Sequence, residues 1–198
     1  MKLRPVPGGS LVLILDGDEA GMLDQLVVQL IQLLQSHSGT SMDPDPLFAS
    51  LEVGGTEETP DDPALARLFP DAFEDEADAS RFRRVSEQGL LNRKLQDAFE
   101  VTSALGVDTL RGFGGEEDEK TSVEVEITPA SLPAWVRTVT ALRLAIAARI
   151  GLESDADHAR LREDEETRGT VLVFDWLAAI LESVLAIMVG RDGSADTA

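Results

Sequence analysis

The amino-acid sequence predicts a predominantly helical α+β fold, with about five to six helices and a small two-stranded sheet. Two observations predict this class. Two segments each resemble a strand, a turn and then a helix, and most other apolar residues recur at helical spacing. The length of 198 residues and a hydrophobic content of 43% are enough to bury a core in one domain.

The first strand–turn–helix unit covers roughly residues 10–36. Leu11–Leu15 is a short apolar run, which is typical of a buried strand. The acidic residues that begin at Asp16 suit the first turn of a helix. The apolar residues of that helix form one stripe, made of Leu23, Leu26, Val27, Leu30, Ile31 and Leu34.

The second unit covers residues 122–151. Residues 122–127 alternate between polar and apolar, as in a strand with one solvated face. Thr128 and Pro129 are expected to open the next helix, and Gly151 is expected to end it. We expect the two strands to pair in one sheet.

Three helices are predicted between these units. A short helix opens at Asp62 and Pro63, because an N-cap acid followed by proline favours a helix start. Residues 74–84 form a second helix. Ser86 is expected to cap the chain again and start a third helix that runs to Leu105.

The last helix, about residues 169–189, is the most apolar segment of the chain. Its apolar core is long enough to raise the question of a membrane span. Asp175 and Glu182 argue against that interpretation, because each carboxylate is costly in lipid. The sequence therefore predicts a core helix, or one shared between the core and a dimer interface, and no membrane contact.

The formal net charge of −20 comes from three acidic stretches, which together account for all of it: residues 43–78, 108–126 and 152–168. They are rich in proline, glycine and acids, as solvated loops are. We therefore expect a single domain over residues 1–198 with acidic loop insertions near 38–61, 107–121 and 153–168, and a disordered tail over 191–198. An acidic arm for a basic partner is the alternative.

The chain contains no cysteine, which excludes disulfides, zinc–thiolate sites and thiol switches and suits a reducing cytoplasm. The first ten residues lack a signal-peptide pattern. The two histidines, His37 and His158, have no partner in a recognisable nucleophile motif. We expect no catalytic residue, cofactor or metal site, and a cytoplasmic, non-enzymatic protein.

Two groups of residues are candidate sites. The first is an interaction patch of five cations within fourteen residues: Arg81, Arg83, Arg84, Arg93 and Lys94. It could grip phosphate or carboxylate; alternatively, it pairs with the neighbouring acids or covers the core. The second is a buried polar cluster, in which one helix supplies cations to the carboxylates of the last helix: Arg143, Arg149, Asp175 and Glu182.

Four blocks occur in order along the chain: DPALARLFPDAF, FRRVSEQGLLNRKLQDA, WVRTVTALRLAIAARIGL and VFDWLAAILESVL. As an ordered set they resemble an actinobacterial family catalogued as a domain of unknown function, whose genes often neighbour that of the Clp-protease adaptor. The resemblance implies a small, cytoplasmic, mainly helical protein without established catalytic residues. Some members are described as transcriptional regulators that respond to oxidative stress through a cysteine pair. That mechanism cannot be carried over to a chain without cysteine.

Three functions are consistent with these observations. The leading hypothesis is a regulatory or adaptor protein that contacts a protein partner or a second copy of itself, as in a homodimer. The first alternative is a DNA-binding regulator that uses the basic patch, although the net charge of −20 disfavours it. The second is a small-ligand-binding protein. The sequence does not identify the partner, the signal or the oligomeric state.

Overall fold

The computed structural model describes residues 1–37, 59–106 and 122–195. The elements found there, in chain order, are β1 (Lys2–Pro5), a 3-10 turn (Pro7–Gly9), β2 (Leu11–Leu15), α1 (Gly17–His37), α2 (Pro63–Leu68), α3 (Glu76–Leu105), β3 (Val123–Ile127), α4 (Leu132–Ile150), α5 (Asp155–Glu163) and α6 (Arg168–Ala195). The predominantly helical α+β class is confirmed. Most of the insertion predicted near 38–61, and all of that at 107–121, lie outside the described residues.

The sheet is antiparallel, with the strand order β1–β2–β3. The predicted pairing of β2 with β3 is confirmed, and it sets Leu13 opposite Val125 on the buried face. The prediction of two strands is wrong, because β1 adds a third at the edge. Its four residues, KLRP, carry no usable alternation, and the terminal proline fits only an edge position.

Helix α1 lies against α3 and buries the predicted stripe. Its fully covered apolar residues are Ala20, Leu23, Val27, Leu30, Ile31 and Leu34. Asp24 is also buried, and it accepts a hydrogen bond from the Thr102 hydroxyl of α3. A polar contact therefore supplements the apolar packing between these two helices.

Helix α3 is one continuous helix of 30 residues, so the predicted break at Ser86 is wrong. The Ser86 hydroxyl donates to the carbonyl of Phe82 at 2.8 Å, one turn back, instead of capping a new helix. The N-cap is Asp75, which accepts from the backbone N–H of Asp78 at 3.0 Å. Gly106, with φ of 61°, ends the helix in the left-handed conformation that glycine adopts freely.

Helix α4 lies between α2, α3 and α6. It begins at Leu132, three residues after the predicted Pro129, because Thr128 and Ser131 first form a hydrogen-bonded turn. Its link to α3 is polar: Arg137 donates to both carboxylate oxygens of Asp97, at 2.6 and 2.8 Å. Gly151 ends the helix as predicted.

The loop predicted at 153–168 is wrong over helix α5. Ser154 caps this helix by accepting from the backbone N–H of Asp157 at 3.2 Å. Acids in its first turn and arginines in its last suit the helix dipole. Because Leu161 is its one buried residue, apolar periodicity gives no signal here.

Helix α6 continues to Ala195, so the tail predicted at 191–198 is wrong over 191–195; residues 196–198 lie outside the described part of the chain. The helix contacts α4, α5 and β1. Its buried residues are Val171, Leu177, Ile180 and Val184. Leu177, Ile180 and Val184 lie on one side of the helix, whereas Val171, in the first turn, points to the opposite side. From Leu177 onward, the side opposite these three residues is the more exposed one.

The Asp97–Arg137 pair gives a test of how α3 is attached to α4. Asp97→Asn should lower the free energy of unfolding by about 1–2 kcal/mol, because it removes a buried carboxylate from a two-pronged charged hydrogen bond. Urea unfolding measures this change. Glu126→Gln, at an exposed position on β3 away from Arg137, is the control and should change stability by less than about 0.5 kcal/mol. Equal stability of Asp97→Asn and wild type would contradict the role given to the pair.

Candidate functional site

The predicted basic patch lies on α3, but its five cations occupy different environments. Arg81, Arg84 and Arg93 are exposed, Lys94 is partly buried, and Arg83 is 7% exposed. Arg84 and Arg93 are nine residues apart, which is about two and a half helical turns. They therefore point to opposite sides of α3, and the five residues form no single cationic face.

Arg83 is held in a buried polar network. Its guanidinium donates to the Asp71 carboxylate and, at 3.1 Å, to the Thr59 hydroxyl. Its Nε atom lies 3.6 Å from Oε2 of Glu87. Since Asp71 belongs to the acidic stretch before α3, Arg83 is engaged by the neighbouring acids, which was the alternative to a free patch.

Glu87 extends this network to α1. Its Oε1 lies 2.6 Å from Nε2 of His37, the last residue of α1, and both side chains are buried. The His37 ring also stacks on Phe69, with 5.1 Å between ring centroids. Through these contacts, Arg83 and His37 hold α1, α3 and the segment between α2 and α3 together.

Lys94 faces a cavity of about 230 Å³ between α1, α3 and α4. Its Nζ lies 5.8 Å from the centroid of the Phe69 ring. Arg93, Asp97 and Arg137 also line this cavity. Hydrogen bonds from Arg137 occupy Asp97, and that carboxylate raises the pKa of the Arg137 guanidinium above its ordinary value.

Asp97 and Arg137 are site residues that the sequence predictions missed. A signal for Asp97 was present, because it lies four residues before Val101 and so shares the buried side of α3. A carboxylate at such a position needs a cation. No pattern in the sequence indicates that Arg137 supplies it.

The predicted buried polar cluster does not exist as a cluster. Arg149 is exposed and donates to Asp62 at 2.6 Å, at the start of α2. Arg143 lies over the Phe174 ring, with 4.3 Å from Cζ to the ring centroid. Asp175 pairs with His158 of α5 at 2.8 Å, and Glu182 is exposed. Arg149 and Asp175 therefore do not pair with each other, because the residues at the start of α2 and on α5 lie closer to them.

Large apolar side chains are exposed mainly on two helices, α3 and α6, with Val28 of α1 in addition. On α3 and just before it they are Phe73, Phe82, Val85, Leu90 and Phe99, and on α6 they are Leu172, Leu185 and Met188. Phe73 and Phe82 pack edge to face, 5.6 Å apart. The segment Arg168–Met188 of α6 is also, among the described helices, the one long and apolar enough to cross a membrane by length and composition alone.

The described residues contain no group of three or more histidine, aspartate or glutamate side chains placed to hold a metal ion. The carboxylates near the cavity and the polar network are instead paired with arginine or histidine. The geometry therefore offers charged binding groups at the cavity and apolar contact surfaces on α3 and α6.

Lys94 gives a pH-dependent test. Burial lowers the pKa of its ammonium below the ordinary 10.5, and the Asp97 charge offsets this only in part. Between the lowered pKa and 10.5 the unfolded chain binds more protons, so the contribution of Lys94 to stability rises with pH. Lys94→Met should therefore be more stable than wild type at pH 7, and this advantage should shrink as the pH approaches 10.5. Urea unfolding at several pH values measures both free energies.

The control is Lys94→Arg, which keeps the charge and should show no such gain in stability at pH 7. If the advantage of Lys94→Met did not change with pH, the lowered pKa given to Lys94 would be contradicted.

Comparisons with known proteins place the chain in a family. The family described as Domain of unknown function (DUF2017) matches residues 2–188. The chain is 24% identical over 181 residues to the oxidative stress regulator AosR of Mycobacterium tuberculosis (strain ATCC 25618 / H37Rv), covering 87% of this chain and 79% of the relative. It is 28% identical over 181 residues to the Mycobacterium leprae (strain TN) protein that also carries the name AosR, covering 86% and 79%. No solved structure matches it. Because the family match extends over nearly all of the chain, this protein belongs to the DUF2017 family.

Proposed function

We propose that this chain is a non-enzymatic, cytoplasmic regulatory protein that acts through protein–protein contacts, and that the exposed side of α6 is its contact surface. The observation that carries the proposal is that the rest of the protein covers this helix poorly. Only 22% of the most apolar stretch of Arg168–Met188 is buried. Leu172 and Leu185 are 50% and 56% exposed. Large apolar side chains left exposed along one helix are consistent with an interaction site.

The regulatory part of the proposal rests on family relatives. Those that match most of the chain are named oxidative stress regulators. A thiol switch is not available to a chain that contains no cysteine, so regulation here must use binding. A cytoplasmic location is part of the same proposal, because a chain without cysteine suits a reducing compartment.

The partner that best fits α6 is a second copy of the chain. Leu172 and Leu185 lie at equal distances in sequence from the pair Ala178 and Ala179. An antiparallel pairing of two α6 helices across these alanines would therefore place Leu172 at the level of the partner's Leu185, and the reverse, with the two leucines of each helix on opposite flanks of the contact. The small alanine side chains would allow a close approach at the centre.

Charge complementarity supports the same pairing. Glu182 is exposed and forms no salt bridge within the described residues. Asp175 is flanked by two basic side chains of α5, His158 at 2.8 Å and Arg162 at 3.8 Å. Because Asp175 and Glu182 are also symmetric about the two alanines, the pairing would bring Glu182 of one copy beside Asp175 of the other, where Arg162 and His158 of that copy are available to pair with both carboxylates.

The DNA-binding alternative has less support. Its central cation, Arg83, is engaged by Asp71 and Glu87 within the protein. Arg84 and Arg93, which are exposed, point to opposite sides of α3, so one duplex could not contact both directly. A membrane is also a poorer occupant of α6 than protein, because the exposed side carries Asp175 and Glu182.

Light scattering on the purified full chain tests the proposal. Wild type should have twice the 21.3 kDa mass of one chain, and Leu185→Glu should be monomeric, because it places a charge at an apolar position of the contact. Val85→Glu is the matched control, since it makes the same change at a 69% exposed position on α3, and it should remain a dimer.

Two results would contradict this proposal. One is a wild-type chain that is monomeric at about 100 μM, a concentration at which even an interface of micromolar affinity is filled. The other is a wild-type chain that floats with lipid vesicles while Leu185→Glu does not, which would make α6 a membrane-binding helix.

A further inference from the structure

The cavity between α1, α3 and α4 combines an apolar floor with a cationic rim. Leu30, Val136, Ala141 and Leu144 supply apolar side chains, and Leu30 and Ala141 are themselves buried. The rim carries Arg93, Lys94 and Arg137. Such a site suits a ligand with a charged end and an apolar end.

The charges on the rim are not balanced by the protein. Asp97 is the carboxylate that lines the cavity, and both of its oxygens already accept from Arg137. Arg93 and Lys94 form no salt bridge with another described residue, and with Asp97 and the nearby Glu100 set against the three cations, one positive charge remains in excess at the rim. In a chain of net charge −20 this local excess is unusual, and it favours an anion.

Lys94 shows that the excess charge has an energetic cost. The ammonium is partly buried, and burial lowers its pKa despite the nearby Asp97. A bound anion would compensate this charge in surroundings where water does so poorly. Arg93, next to Lys94, can grip a carboxylate with two parallel hydrogen bonds.

The cavity volume limits the ligand. A cavity of about 150 Å³ holds benzene, so about 230 Å³ accommodates a group somewhat larger than that. The apolar floor disfavours a ligand that is charged all round, such as inorganic phosphate. An apolar tail of roughly six to eight carbons with one anionic group fits both the volume and the lining.

We propose that this cavity binds a small amphipathic carboxylate, with its carboxylate held between Arg93 and Lys94 and its apolar tail against Leu30, Val136 and Leu144. The ligand class is that of medium-chain aliphatic or simple aromatic carboxylic acids. Such a ligand would contact α1, α3 and α4 together, and it would stabilise their packing. This site is independent of the exposed side of α6.

Titration of the full chain with octanoate and with benzoate tests the proposal, followed by calorimetry and by methyl NMR of labelled leucine and valine. At least one of the two should bind saturably and shift the methyl signals of Val136 and Leu144. Octanol, which lacks the charge, and inorganic phosphate, which lacks the tail, should each bind at least about tenfold more weakly.

Variants locate the site. Arg93→Gln and Lys94→Gln should each weaken carboxylate binding about tenfold, because each removes one charged hydrogen bond. Arg81→Gln, which removes a positive charge from the same helix at an exposed position, is the matched control and should bind as wild type does. The proposal is overturned if neither carboxylate binds, if octanol binds as tightly as octanoate, or if the affinity of Arg93→Gln and Lys94→Gln matches that of wild type.

Discussion

The packing of this protein depends on a polar network that joins the buried side chains of His37, Glu87 and Arg83 to the more exposed Asp71. Three parts of the chain meet there: the end of α1, the first half of α3 and the segment before α3. Apart from Ala79, the residues buried in that half of α3 are Arg83 and Glu87, so its docking rests on charged side chains rather than an apolar stripe. Burying a charge is costly unless it is paired, and the Arg83 guanidinium has Asp71 and Glu87 as partners of opposite sign.

The same arrangement places the surfaces to which we assign binding. Because the polar side of α3 faces inward at Arg83 and Glu87, apolar residues such as Phe82 and Val85 are left in solvent. About two turns after Glu87, Lys94 reaches the cavity beside α4. Helix α6 also contacts α4 and leaves large apolar side chains of its own exposed. A self-contact through α6 and a ligand site beside Lys94 therefore use different residues and can be tested independently.

The sequence predicted those parts of the fold in which apolar periodicity determines the structure. The stripe of α1 and the pairing of β2 with β3 follow from residue spacing alone. Helix α5 escaped prediction because its stability comes from capping and charge order, with Leu161 as its one buried residue. The partners of the site residues are set by tertiary contacts, which the spacing of residues along the chain does not predict. Arg149, for example, donates to Asp62 and not to a carboxylate of α6. The continuity of α3 was missed for the same reason, since its first half is held by polar partners.

Amide hydrogen exchange along α3 tests this account most directly, in wild type and in Arg83→Ala. If the polar network holds the first half of the helix, the variant should lose protection by at least about tenfold over residues 76–88, while residues 91–105 keep theirs. Arg81→Ala, on the exposed side of the same turn, should leave both halves unchanged. Unaltered protection over 76–88 in Arg83→Ala, or an equal loss along the whole helix, would contradict the central role of the network.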